Sequence, residues 1–444
     1  MLDTWFSSGL WPFSTLGWPD DTEDLRYFFP TTMMETGYDI LFFWVARMIM
    51  MSLEFMGEIP FEEIYLHGLV RVSGGQKMSK SFGNVVDPLE LMEQFGTDAL
   101  RFTLLTGSTP GQDSKINLEK LEANRNFANK LWNVGRLIMN TVERGSSAPD
   151  EDRPLSNADR WILSRLAQVQ MSVDRLFEAF QYGEAGRQIY EFFWGEFADW
   201  YLEIAKLQLD EEKGTAWRTT GIMVQVFDAC LRMLHPFMPF VTEELWGYLK
   251  RACEDNHAGY QPEGGWEEAL IIAKWPTPNE RAAEEAEDVE EFQVVMDIVK
   301  AIRNARLEKG VEPRRRIPAA IKAGDAAQYL ASSSAAIAAL AGIDPEQLQI
   351  EEELDERPEN ALTLVIHGVE IYLPLEGMLD LDEEKQRLQE QLAETVTQRG
   401  RIEKLLAGPF SERAPEEVVG KERAKLRSLQ ETADTIKQQL DSLN

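Results

Sequence analysis

The sequence predicts a multidomain α/β plus α chain: an opening segment patterned like half of a nucleotide-binding fold, a helical bundle, a small α/β module and a C-terminal antiparallel coiled coil. Three observations carry that prediction. A strand, helix, strand pattern from Met1 to Val70 feeds a glycine-led loop with paired lysines, Gly74-Gly75-Gln76-Lys77-Met78-Ser79-Lys80-Ser81, and open α/β sheets bind ligands beyond the carboxyl ends of parallel strands. Long amphipathic, aromatic-rich stretches then run through Trp161 to Leu209 and Val224 to Lys250. Near the end, Leu426, Leu429, Ala433, Ile436, Leu440 and Leu443 recur three and four apart, the spacing of a helix seam.

Composition bounds the possibilities. The chain has 444 residues, enough for several cores, and 44% hydrophobic residues with 10% aromatics is the make-up of a folded soluble protein. The longest apolar run, Ile40 to Phe55, is broken by Arg47 and Glu54, so a buried helix is expected there, not a membrane span. No basic start precedes a short apolar core, so no secretory signal is expected. Cys230 and Cys253 are the two cysteines and form no Cys-x-x-Cys pair; this argues against a zinc ribbon or disulfide scaffold and suits a cytoplasmic location. A net charge of -31 argues against indiscriminate nucleic-acid binding, which would have to rest on local basic patches.

Taken in order, Trp5-Phe6-Ser7-Ser8-Gly9-Leu10-Trp11-Pro12 has the aromatic and small residues of a pocket lining, a composition equally usual in plain core. Tyr27-Phe28-Phe29-Pro30 reads as a short buried strand, Gly37 to Met56 as one long helix with Ile40 and Trp44 a turn apart on a single face, and Ile64 to Val70 as a second strand containing His67-Gly68. In the loop that follows, Lys77 and Lys80 are mobile cations able to close over a polyphosphate. Asp87 and Pro88 read as the cap and first residue of the next helix. Alone, such a loop is more often ordinary solvated surface.

The pattern Trp5 to Ser14, Gly37-Tyr38-Asp39 with Trp44, His67-Gly68 and the Lys77 to Ser81 string resembles the second half of the Rossmann-like catalytic domain of class I aminoacyl-tRNA synthetases, the valine-specific branch above all, and the resemblance continues to the C-terminus. It implies ATP, taken with Mg2+ as substrate, valine and tRNA(Val) as ligands, with no zinc and no membrane. Lys77, Ser79, Lys80 and Ser81 would lie over the ATP phosphates, with Lys77 and Lys80 catalytic. Gly37 and Asp39 would hold the ribose, His67 and Gly68 the adenine edge, and Trp5, Ile40 and Trp44 would wall the valine side chain. The family's His-x-Gly-His signature is absent: the four histidines, His67, His235, His257 and His367, have no such spacing, and the editing domain is absent too. The chain is therefore expected to be a truncated or split portion, inactive alone and completed by a separate N-terminal half in trans.

Beyond the loop, Leu89 to Leu105 reads as two helices and Leu118 to Met139 as another, with Ser146 to Pro154 a polar linker. Phe192, Phe193, Trp194, Phe197, Trp200 and Tyr201 have helical spacing and are weighted as core over base-stacking. After an acidic run, Glu280 to Glu291, a helix from Phe292 to Lys309 carries Arg303 and Arg306 on one side; with Arg314-Arg315-Arg316 they form the basic patch proposed for RNA, against ordinary surface charge at even odds. Ala319 to Ile321 and Leu362 to Leu373 alternate like strands around a helix near Ala331 to Ala341. Leu388, Leu392, Ile402 and Leu406 give a first coiled-coil arm, interrupted by Thr395 and Arg399, before Gly408-Pro409; the turn with Arg413 resembles the family's tRNA-contacting arm. The implied domains are 1-120, 121-278, 279-378 and 379-444. Two other readings are a stand-alone tRNA-binding protein derived from a synthetase and an isoleucine-specific enzyme; the latter's relatives typically end in a cysteine-rich zinc module.

Overall fold

The computed structural model describes residues 3–72, 75, 78, 86–107, 109–145, 154–209, 216–256, 260–284, 286–358, 360–375, 381–408, 424–430, 433 and 437. The chain divides into two compact units, Met1–Val289 and Glu290–Asn444.

The first unit begins with α1 (Thr4–Ser14), capped by the Asp3 side chain on the Trp5 N–H. Next comes α2 (Glu23–Phe28), capped by Thr22 on the Leu25 N–H with Glu23 and Asp24 in its first turn. This cap corrects the expected strand at Tyr27 to Pro30. Tyr27 and Phe28 end a helix and stand 80% and 54% exposed, while the strand β1 (Thr31–Gly37) starts only after Pro30. The long helix expected next is three pieces: a 3-10 turn at Tyr38–Ile40, a π-helical segment at Leu41–Val45 and α3 (Ala46–Phe55). It is not a buried helix either, since Val45, Met48 and Ser52 are buried while Phe42, Phe43 and Met50 are 77%, 63% and 69% exposed. Parallel to β1 runs β2 (Phe61–His67), with Gly37 opposite His67; it starts three residues earlier than the apolar pattern suggested. A second parallel pair joins β3 (Val70–Arg71) to β4 (Ser114–Lys115).

Between those short strands lie α4 (Pro88–Phe95), whose Leu89 N–H is capped by Asp87 as expected, and α5 (Thr97–Thr106). The bundle follows: α6 (Leu118–Glu143), α7 (Asn157–Glu178) with a Ser156/Asp159 capping box, and α8 (Tyr182–Glu191) leading through a π-helical stretch Phe192–Tyr201 into α9 (Leu202–Gln208). It closes with α10 (Ala216–Leu234), α11 (Pro239–Asn256) and the short α12 (Glu280–Glu284). Phe192, Phe193, Phe197, Trp200 and Tyr201 are buried in the bundle, together with Phe127, Trp161, Phe227 and Trp246. The aromatic cluster is core, as weighted; Trp194, half-buried, stacks on Phe127.

The second unit starts at Glu290, within α13 (Ala286–Glu308), which is followed by β5 (Ile317–Lys322), α14 (Ala327–Ser332), α15 (Ser334–Ala341), β6 (Ile343–Glu351), β7 (Ala361–Ile366) and β8 (Val369–Pro374). The four strands form one sheet in the order β6-β5-β8-β7, with β5 parallel to β6 and the other pairs antiparallel. The sequence reading missed β6, whose Asp344-Pro345-Glu346-Gln347 start is too polar to alternate. Last is α16 (Leu381–Ala407), and residues 424–430 are helical too. Along α16, Leu392, Thr395, Arg399, Ile402 and Leu406 are partly or fully buried among exposed neighbours, as are Leu426, Leu429 and Ala433 further on. Among the described residues no helix is long and apolar enough to cross a membrane.

Candidate functional site

The parallel register of β1 and β2 puts Gly37 and His67 side by side at the carboxyl ends of both strands. Asp39 turns back toward them: a methyl group on Gly37 would lie 2.8 Å from Asp39 Oδ1 and 3.6 Å from His67 Cε1. Gly37, Asp39 and His67, distant in sequence, therefore form one cluster at the sheet end where ligands bind. His67 reaches Glu35 through Nε2, at 3.3 Å, and its Nδ1 lies 2.9 Å from the Gly68 carbonyl. Gly68 has a backbone reason to be glycine, because a Cβ there would sit 1.6 Å from the Gln112 carbonyl oxygen.

That close approach brings in the residue the sequence reading missed. Asp113 accepts from the Leu69 N–H at 2.8 Å and from Arg71 Nε, and the Tyr38 hydroxyl donates to it at 3.3 Å. Arg71 Nη1 in turn donates to the Gly75 carbonyl at 3.4 Å. One carboxylate thus joins β3, the Tyr38 turn beside Asp39 and the near end of the lysine loop. The Leu69 N–H, then Arg71, hold Asp113 below the usual carboxylate range, and Asp113 holds Arg71 above the ordinary arginine value. Both groups stay charged at neutral pH. Nothing in its local spacing separates Asp113 from the other acidic residues of a chain with 76 of them. Lys115 is a further addition at the loop base, its Nζ 3.8 Å from where a Gly75 Cβ would be.

Lys77, Ser79, Lys80, Ser81 and Arg413 lie outside the described residues. Of the expected amino-acid pocket, Ile40 and Trp44 occupy one turn at the start of the π-helical segment; Trp44 packs on Met34, Val45, Met48 and Phe61, and Ile40 is 40% exposed. Trp5, 52% exposed, stands in the first turn of α1, a helix that packs against α3 and lays Arg47 against the Trp5 ring. The site is joined to the bundle by polar contacts as well. Asp98 accepts from the Phe240 and Val241 N–H groups at the start of α11, at 3.3 and 2.7 Å, and Arg101 donates to the Pro236 and Phe237 carbonyls.

The proposed basic patch is smaller than expected. Arg306 is 6% exposed and donates to the carbonyls of Ala341, Gly342, Glu312 and Arg315, so it holds α13 to the end of α15 and cannot meet RNA. Its helical position is legible in sequence, but the carbonyls that claim it come from the α15 turn and the loop before β5. Arg314 and Arg316 are exposed and Arg315 half-buried, and none of the three makes an ion pair among the described residues.

Residues 1–117 match the family model of class I tRNA synthetases (I, L, M and V), residues 159–321 that of the anticodon-binding domain of tRNA ligases, and residues 380–444 that of the valyl-tRNA synthetase tRNA-binding arm. Along its length the chain is similar to valine–tRNA ligases. It is 46% identical over 440 residues to the valine–tRNA ligase of Dehalococcoides mccartyi strain CBDB1, covering 98% of this chain and 48% of that protein. The enzymes of Carboxydothermus hydrogenoformans and Enterococcus faecalis are each 42% identical over 100% of this chain and 49% of theirs. The chain spans about half the length of the curated relatives it matches. The C-terminal match is to the valyl arm, which sets the isoleucine alternative aside. Among solved structures, methionyl-tRNA synthetase of Mycobacterium tuberculosis in complex with methionyl-adenylate aligns over 55% of this chain and 49% of that one at 25% identity and a TM-score of 0.48, a likeness that adds nothing to the sequence matches.

Proposed function

We propose that this chain supplies the second half of the catalytic α/β domain, and the tRNA-binding part, of a valine–tRNA ligase that activates valine with ATP and transfers it to tRNA(Val). The observation that carries the proposal is the meeting of Gly37, Asp39 and His67 at the carboxyl ends of two parallel strands, directly before the lysine loop. Gly37 and Asp39 take the ribose and His67 with Gly68 the adenine edge of ATP, which enters with Mg2+. Lys77 and Lys80, aided by Ser79 and Ser81, draw the charge that builds on pyrophosphate as the valine carboxylate attacks the α-phosphorus. Trp5, Ile40 and Trp44 exclude larger side chains; threonine matches valine's shape, and one methylene in such a pocket is worth only about 1 to 3 kcal/mol, a case taken from this enzyme class.

The domain division 1-120, 121-278, 279-378 and 379-444 belongs to the same proposal. So does an antiparallel hairpin at the end, supported by the alternating burial along α16 and near Ala433, with Arg413 at its turn and Arg314, Arg315 and Arg316 as further tRNA contacts. The exposed Phe42, Phe43 and Met50 support a missing half of the α/β domain, supplied in trans, as the cover of that face in a cytoplasmic enzyme.

The test is valine-dependent pyrophosphate exchange. We expect none from the chain alone, activity once the missing half is added, and a loss of roughly 10² to 10³ in the Lys80→Ala variant of the reconstituted pair. Robust exchange by the chain alone, or a reconstituted Lys80→Ala enzyme at full rate, would overturn the assignment.

A further inference from the structure

Asp113 comes 75 residues after Tyr38, on a segment that tertiary packing lays against the Gly37 and His67 cluster. Residues 111–116 run along the ends of β2 and β3: the Gly111 N–H donates to the Leu66 carbonyl at 2.8 Å, the Ser114 N–H to that of Leu69 at 3.0 Å and the Ile116 N–H to that of Arg71 at 3.1 Å. These bonds fix the backbone on both sides of Asp113. Its Oδ1 then accepts from the Leu69 N–H, and its Oδ2 from Arg71 Nε and the Tyr38 hydroxyl. The Asp113 and Arg71 side chains are 21% and 31% exposed, so the pair is partly shielded from water, and a hydrogen bond with both partners charged is short and directional.

Tyr38 carries the consequence. It stands between Gly37 and Asp39 and opens the 3-10 turn Tyr38–Ile40, which has no side-chain cap and is closed by the Leu41 N–H on the Tyr38 carbonyl. A single 3-10 turn of three residues holds itself weakly. The bond from the Tyr38 hydroxyl to Asp113 ties this turn to β3, while the pairing of β1 with β2 holds His67 in place independently of it.

We propose that Asp113, held by Arg71, is a positioning residue for the nucleotide: it keeps the Tyr38-Asp39 turn, and so the groups that meet the ribose, in register with His67 and Gly68. The inference rests on the synthetase reading above, which assigns Gly37 and Asp39 to the ribose and His67 with Gly68 to the adenine edge. Asp113 itself touches no substrate. A turn already in place costs the ligand no ordering when it binds, whereas a loose one must be ordered at the expense of affinity. That cost falls on the ribose hydroxyls, because the adenine edge sits on β2 and the turn does not carry it.

The test has two arms and two variants, Asp113→Asn and Tyr38→Phe; the second removes one hydroxyl and leaves the Arg71 pair intact, so it keeps the fold. In the full chain alone, hydrogen exchange at the Leu41 amide should quicken about tenfold in Asp113→Asn and less in Tyr38→Phe, with the bundle amides unchanged. In the enzyme completed by its missing half, valine-dependent pyrophosphate exchange should show the KM for ATP raised about tenfold in Asp113→Asn and less in Tyr38→Phe, with a smaller change in the KM for valine. The preference for ATP over 2′,3′-dideoxy-ATP should shrink in step. A merely structural role would lower kcat through a smaller folded fraction and leave both KM values and the ribose preference as they are; that result, or unaltered Leu41 exchange in both variants, overturns the inference. A parent pair that exchanges no pyrophosphate overturns the synthetase reading and this role with it, and the parent control tells that failure from the other two.

Discussion

The opening α/β region and the helical bundle differ in how far each completes its own core. In the bundle, Phe127, Trp161, Phe193, Phe197, Tyr201, Phe227 and Trp246 are buried, and even its buried charges are answered within the region: Asp159 by the Tyr201 hydroxyl, Asp228 by Arg232, Trp246 and Tyr260. In the α/β region the sheets are two strands wide, and Tyr27, Phe42, Phe43 and Met50 face outward. Apolar area removed from water stabilises by roughly 25 cal/mol per Å2, so the bundle draws its stability from itself. The α/β region leaves much of that term unrealised and presents strand edges besides.

The sharpest break of this contrast is in the bundle. Replacing Asp228 by Ala leaves Arg232 buried and unpaired, and takes the acceptor from Trp246 and Tyr260; we expect a loss of about 3 to 5 kcal/mol in denaturant unfolding. A loss under about 1 kcal/mol would show that the pair contributes no more than a surface one. In the α/β region Gly68→Ala drives a methyl into the Gln112 carbonyl. It should loosen β3 and β4 at a cost of about 1 to 3 kcal/mol, visible as faster amide exchange at Leu69 and Arg71, while the bundle's melt stays put. A lowered bundle melt would mean that the two regions unfold as one.

Smaller effects sharpen the same line. Burial holds His235 below its ordinary 6.5, against the opposing pull of Glu243 and Asp98. The unfolded chain therefore takes up a proton before the folded chain does. Stability from this group is complete above 6.5 and declines as the pH falls toward the folded value. His235→Gln should flatten that slope, worth less than about 1 kcal/mol, in melts taken across the window; an unchanged slope would assign it to other groups. Smallest in stability are Phe42→Ser and Phe43→Ser, each expected within about 0.5 kcal/mol, yet light scattering should show less self-association. Equal association of variant and parent would remove this face as the sticky one.

Much of the molecule is legible from local chemistry. Asp87 with Pro88 marks the start of α4, and the periodic aromatics from Phe192 to Tyr201 mark core, because caps and helical spacing act over a few residues. Legibility fails where distant segments compete for a residue. Arg306 reads as a surface cation and is instead claimed by the carbonyls of Ala341, Gly342, Glu312 and Arg315. Tyr27 and Phe28 read as strand because aromatic residues favour pleated surfaces, but the Thr22 cap commits them to helix.

What the sequence marked by itself was the succession of helical and strand-bearing stretches and the residue types of the candidate site, since both rest on patterns contiguous in the chain. Which residues meet was decided only by the tertiary structure. The register of β1 on β2 sets Gly37 beside His67, and the close backbone approach at Gly68 delivers Asp113 to Tyr38, Leu69 and Arg71 across more than forty residues. Burial, likewise, belongs to the packed assembly and not to the run of letters: the same apolar stretch is core at Val45 and Met48 and surface at Phe42 and Phe43, because a strand pair covers only one side of it.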